Sequence, residues 1–124
     1  MARKDILKYQ IIPTQSGASS FDTKSNPTNL DWLDNVSLQV YWTGTLVGEL
    51  KVYVSNDSVN PKLGQTVTNW SLLEFGAPVL IDGSQSDLII NINQNSFSFI
   101  ALAWAPASGT GNITAQMTCR QVGG

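Results

Sequence analysis

The sequence predicts an all-β protein, an antiparallel β-sandwich of the Ig-like or jelly-roll-like kind. An extended arm is expected over residues 1–30 and the sandwich over 31–124. Apolar and polar residues alternate in four separate stretches, and strand side chains point alternately to opposite faces, so each stretch reads as a half-buried strand. Clusters of Gly, Pro, Asn, Asp and Ser fall between them at short spacings, the punctuation of a sandwich or small barrel. No segment carries a convincing apolar stripe at helical period.

In chain order, Lys8–Ile12 and Ser20–Thr23 read as short strand-like pieces of the arm, separated by a loose polar run from Pro13 to Ser20. Asn26-Pro27 is a turn signal, and Leu30 and Leu33, three apart, predict one short helical turn over Thr28–Asp34. Val36, Leu38, Val40 and Trp42 then alternate with Ser37, Gln39, Tyr41 and Thr43, which places the apolar set in the core. After Thr43-Gly44-Thr45, Leu50, Val52 and Val54 alternate with Lys51, Tyr53 and Ser55. The short connection predicts a hairpin between these two strands, with Tyr41 and Tyr53 as outward cross-strand neighbours.

A loop rich in Asn, Asp, Ser and Pro follows, and Thr66–Phe75 is expected to hold a strand carrying Trp70, Leu72 and Leu73. Gly76-Ala77-Pro78 breaks it, and Val79–Ile81 resumes. Beyond the polar loop from Asp82 to Asp87, Leu88, Ile90 and Ile92 alternate. Phe97–Trp104 is apolar at nearly every position, as in a central strand covered on both faces. Ala105–Gly111 reads as a turn-rich loop, and Ile113, Ala115, Met117 and Cys119 point inward from the last strand.

Composition narrows the function. Hydrophobic residues make up 42% and charged residues 13%, with a net charge of −2, so the chain is apolar enough to fold and poor in charge. Arg3, Lys4, Lys8 and Lys24 outweigh Asp5 and Asp22 in the first 24 residues, while the remainder is acidic. An acidic body lacks the clustered Lys and Arg that hold a phosphate backbone, so no nucleic-acid partner is expected. The basic start is either a solubilising tail or a docking arm.

No run of about 18 apolar residues is present, and Met1–Gln10 lacks the apolar stretch of a secretion signal. The expectation is synthesis in a cytoplasm and no membrane partner. Four Asn-x-Ser/Thr matches, at Asn35, Asn56, Asn69 and Asn112, are then chance in an Asn-rich chain.

The chain has no histidine and one cysteine, Cys119, expected as a buried, inert thiol. That removes the commonest general base and metal ligand, and no phosphate-binding loop or nucleophile elbow is present. Asp31 with Asp34, and Asp82 with Asp87, are the paired carboxylates, but all four stand among turn residues that favour Asp for backbone capping. Asp82 and Asp87 also offer hard oxygen ligands for calcium, at a spacing that is not that of an EF-hand. The expectation is a non-enzymatic protein with no cofactor, metal or catalytic residue. Among the aromatics, Trp42 and Trp104 are expected inward, Trp70 is ambiguous, and Tyr41 and Tyr53 are the surface candidates for a partner or a glycan.

Residues 33–45, Leu-Asp-Asn-Val-Ser-Leu-Gln-Val-Tyr-Trp-Thr-Gly-Thr, are followed by Gly48 to Asp57, with Val52-Tyr53-Val54-Ser55-Asn56-Asp57 at the strand end. Trp70 and Leu72 come later, and Ile100 to Gly111 leads into the final strand. Over residues 30–120 this pattern resembles the small β-sandwich structural proteins in virions of tailed bacteriophages. Ala105-Pro106-Ala107 departs from it, since a Thr often precedes the Pro there. The resemblance implies a capsid-bound decoration or auxiliary protein in the virion, partnered by its own copies and by other virion proteins. A glycan- or receptor-binding module of a phage appendage is the alternative. An extended arm supplies main-chain hydrogen bonds to a neighbour's sheet edge, so a homo-oligomer is expected, with Lys8, Tyr9, Ile11, Ile12, Tyr41 and Tyr53 as interaction residues.

Overall fold

The structure is a computed structural model that describes residues 5–30, 33–73, 79–82, 87–92 and 97–121. It is a sandwich of two antiparallel sheets. The first has the order β1(Asp5–Ser16), β10(Asn112–Gln121), β4(Leu33–Trp42), β8(Asp87–Ile92). In the second, β9(Phe99–Ser108) and β5(Val47–Ser55) form the centre. Short β2(Phe21–Asp22) and β3(Thr28–Asn29) share the outer side of β9, and β6(Ser71–Leu72) and β7(Val79–Ile81) share that of β5.

Counting each of those two pairs as one strand position gives eight positions along the chain. They lie 1-8-3-6 in one sheet and 2-7-4-5 in the other, which is the double Greek key of a jelly roll. Of the two sandwich types expected, the winding is the second.

Alternation predicts the inward faces well. Val36, Leu38, Val40 and Trp42 from β4, Leu50, Val52 and Val54 from β5, Ile90 and Ile92 from β8, and Ile113, Ala115, Met117 and Cys119 from β10 join one buried core. In β9, Ile100, Leu102 and Trp104 join that core, while Phe99 and Ala101 are buried on the strand's other side, which is the outer side of a two-layer sandwich and not a second covered face.

The expected hairpin between β4 and β5 does not form. β4 pairs with β10 and β8, whereas β5 pairs with β9, β6 and β7. The reason lies in the connection. Leu46 is buried in the core, and the Thr43 and Thr45 amides donate to Asn112 and Thr110 carbonyls at 3.0 and 2.8 Å. The β4–β5 connection thus pairs with the β9–β10 connection, and together they carry the chain from sheet to sheet. Gly44, Gly109 and Gly111 have positive φ there, and a Cβ on Gly109 or Gly111 would run into the carbonyl oxygen of Thr45 or Thr43.

Two tryptophans fix further crossings at the same end. Trp104 donates from Nε1 to the Gly17 carbonyl at 2.8 Å, and Trp42 to the Asp82 carbonyl at 2.9 Å. Gly17 in turn donates to the Gly111 carbonyl at 2.9 Å. Each indole N–H is satisfied on burial, as it must be to avoid a desolvation cost.

Other expectations change in detail. The helical turn over Thr28–Asp34 is replaced by β3, which pairs Thr28 and Asn29 with Ile100 and Phe99, and by the start of β4 at Leu33. Two leucines three apart are too short a pattern to outweigh a ladder offered by β9. The strand expected over Thr66–Phe75 shrinks to Ser71–Leu72, with residues 74–78 outside the described residues. Ala105–Ser108 continues β9 rather than forming a loop, and Pro106 stands opposite Gly48, where the register slips.

Candidate assembly surfaces

Among the described residues the outer face of the first sheet is mostly uncharged and polar, with Asp87 at its β8 margin and Lys8 in register at its β1 margin. Register aligns Gln10, Gln116, Gln39 and Ile89 in one row across all four strands. A parallel row holds Thr118, Ser37 and Asn91, and another holds Thr114, Tyr41 and Asp87. Thr14 and Thr114 share a hydrogen bond of 2.7 Å between their hydroxyls, and the Tyr41 hydroxyl donates to Gln39 Oε1 at 2.8 Å. Tyr41 is therefore half-buried and tied to its own strand. Ile89, 59% exposed, interrupts this polar surface at its β8 margin.

β1 is one margin of the same sheet. Lys8 and Tyr9 stand opposite Thr118 and Met117 in its ladder with β10. Ile11 and Ile12 are buried in the domain's own core. The segment lies along its own domain, with these two isoleucines committed to its own core. Its ladder is irregular between Gln10 and Gln15, around Pro13.

The outer face of the second sheet differs in kind. Tyr53 stands opposite Ala101 and Leu72, and Lys24 places Nζ 3.7 Å from the centroid of its ring. Tyr41 and Tyr53 are thus on opposite outer faces of the sandwich, not cross-strand neighbours, because their strands belong to different sheets. Glu49 and Lys51 precede Tyr53 on the same side of β5, and Leu80 and Leu72 are exposed at the margin, at 65% and 45%.

At the end opposite the crossings, residues 56–70 fold over the edge of this sheet. Asp57 is their hub: its carboxylate accepts from the Thr68 and Asn69 amides at 2.8 and 3.0 Å and from the Asn69 side chain at 2.8 Å. These bonds, those from Asn69 first, hold its carboxyl below the ordinary carboxylate value. Asn60 caps a 3-10 turn at Pro61–Leu63 by accepting from the Lys62 amide. A polar hollow of about 480 Å³ opens here, lined by Asn56 to Asn60, Gln65, Ser98 and Phe99. Asp57, Asn56 and Asn60 all spend side-chain oxygens on backbone amides, so the hollow's polarity is largely structural.

Trp70 is half-buried, and Asp31, Trp32 and the loop residues 83–86 lie outside the described residues. Among the described residues no group of three or more His, Cys, Asp or Glu is placed to hold a metal ion, and no helix is long and apolar enough to cross a membrane.

The sequence reading missed Ile89 as a surface residue, although the signal is present. Once Leu88, Ile90 and Ile92 face inward, Ile89 must point out between polar Asp87 and Asn91. The glutamine row has no such signal, since it exists only in the register. Compared with protein-family models and with curated proteins, the chain matches none.

Proposed function

We propose that this chain is a non-enzymatic structural protein of a virion, most closely a capsid-bound decoration or auxiliary protein that works through its N-terminal segment and sheet surfaces. The jelly-roll winding carries the reading, because this fold builds many capsid domains. That step is an analogy of fold, and fold alone assigns no chemistry. The residues support it from the other side. The chain has no histidine, among the described residues no group of three or more His, Cys, Asp or Glu is placed to hold a metal ion, and Asp57 is a loop fastener.

Particles released from cells that carry the gene test this reading. After density-gradient purification, an antibody to the chain should label them at regular positions in electron micrographs. Recovery of the chain only in the particle-free fraction contradicts it.

A glycan-binding module of a phage appendage is the second reading, favoured by the flat polar face of Gln10, Gln116, Gln39 and Tyr41. Binding of the purified chain to host surface polysaccharide, lost on replacing Gln39 and Gln116 with Ala, supports that reading against the first.

A further inference from the structure

The margins of the two sheets are built differently. In the second sheet both are cut into pieces of two or three residues, β2 with β3 and β6 with β7, so that no long row of backbone groups is presented. In the first sheet β1 is long but irregular at Gln10–Gln15 and contains Pro13. Short pieces, bulges and prolines are the usual means of blunting an edge against pairing.

β8 has none of them. Its six residues pair with β4 in unbroken register from Val36↔Ile92 to Tyr41↔Asp87, and among the described residues nothing pairs with its other side. It contains no Pro, no Gly and no Lys, and its most exposed apolar side chain, Ile89, stands at its middle. Edge N–H and C=O groups beside an exposed β-branched residue form a template for a further strand.

We propose that the open side of β8 pairs with β8 of a second copy of this chain, antiparallel about a two-fold axis at Ile89. The residues favour a copy of the same strand over a foreign one. With Ile89 opposite Ile89, Asp87 faces the neutral amide of Asn91 rather than another Asp87, so no like charges meet. On the core side, Leu88 faces Ile90, and half-buried Leu88 gains cover. An isologous contact requires that residue i meet j while j meets i, and this register satisfies it. Two four-stranded sheets become one eight-stranded sheet with its outer face continuous across the pair. This goes beyond the virion reading, since the pairing holds or fails whatever particle the chain serves.

Sedimentation of the full chain over a range of concentrations tests it. The expected result is a reversible dimer that Ile89→Lys converts to a monomer with an unchanged circular dichroism spectrum. Ile89→Cys provides a second measurement that does not depend on how Lys is tolerated. Cysteines facing each other across an antiparallel pair are within disulfide reach, so mild oxidation should link the two copies through position 89. Three results overturn the proposal: a monomeric full chain at every concentration, an oligomer whose mass Ile89→Lys leaves unchanged, or an oligomer that does not cross-link through Cys at 89.

Discussion

The two sheets share one core and similar central strands, yet they end differently. The first has longer margins, β1 of 12 residues and β8 of 6, and its outer face is mostly Gln, Thr and Ser with Asp87 at the β8 margin. The second breaks up at both margins, and its outer face carries Lys24, Lys51, Glu49 and Asp22 around Tyr53. Backbone groups left unpaired at an edge recruit strands, whereas charge and interruption discourage them. The comparison teaches that the second sheet is blunted at both margins, whereas the first keeps one uninterrupted margin, β8.

Breaking the seam between the sheets should have the largest effect. Trp104 fills the core and holds the β1–β2 connection through the Gly17 carbonyl. Trp104→Ala should cost about 3–5 kcal/mol in denaturant unfolding, since it leaves both a cavity and an unpaired carbonyl.

A glycine pair sharpens the contrast between the crossing end and the 56–70 loop. Gly109 and Gly64 have nearly the same φ, 82° and 81°, but a Cβ at Gly109 meets the Thr45 carbonyl while one at Gly64 meets open space. Gly64→Ala should cost about 1 kcal/mol, the left-handed backbone penalty alone. Gly109→Ala should cost about 2 kcal/mol or more, because backbone must move. Equal losses in the two melts would show that the crossing end is looser than described.

On the charged outer face, Lys24→Ala removes the cation over the Tyr53 ring and should lower stability by only about 0.5 kcal/mol. Asp57 gives the most local effect. Its carboxyl titrates below its ordinary value of 3.8, so its bonds are fully present above that value and are lost as pH falls through the depressed one. The Thr68 and Asn69 amide resonances should therefore shift together in acid, below the ordinary carboxylate range, and Asp57→Asn should abolish the step.

Much of this comparison was legible in the residues, and the rest was not for a definite reason. Alternation reports which face of a strand is buried, so Val36 to Trp42 and Ile113 to Cys119 could be assigned inward from the letters alone. It does not report which sheet a strand joins. Hence β4 and β5 looked like a hairpin, and Tyr41 and Tyr53 looked like neighbours. The information that separates them sits in non-local contacts, such as Thr45 with Thr110, where the connections pair with each other. The surface candidates divided likewise. Ile11 and Ile12 have the composition of an adhesive strand, but the same residues serve the domain's own core. Ile89 was the readable exception, hidden only by an apolar run.

The central claim, that the first sheet is open to extension and the second is closed, is tested most directly by placing one charge on each. Ile89 and Leu80 are comparably exposed, at 59% and 65%, one at the margin of each sheet. Sedimentation of Ile89→Lys and Leu80→Lys beside the full chain is the measurement. The account predicts that Ile89→Lys yields monomers while Leu80→Lys keeps the oligomer of the unaltered chain. Dissociation by Leu80→Lys with Ile89→Lys intact would contradict it and move the assembly surface to the second sheet.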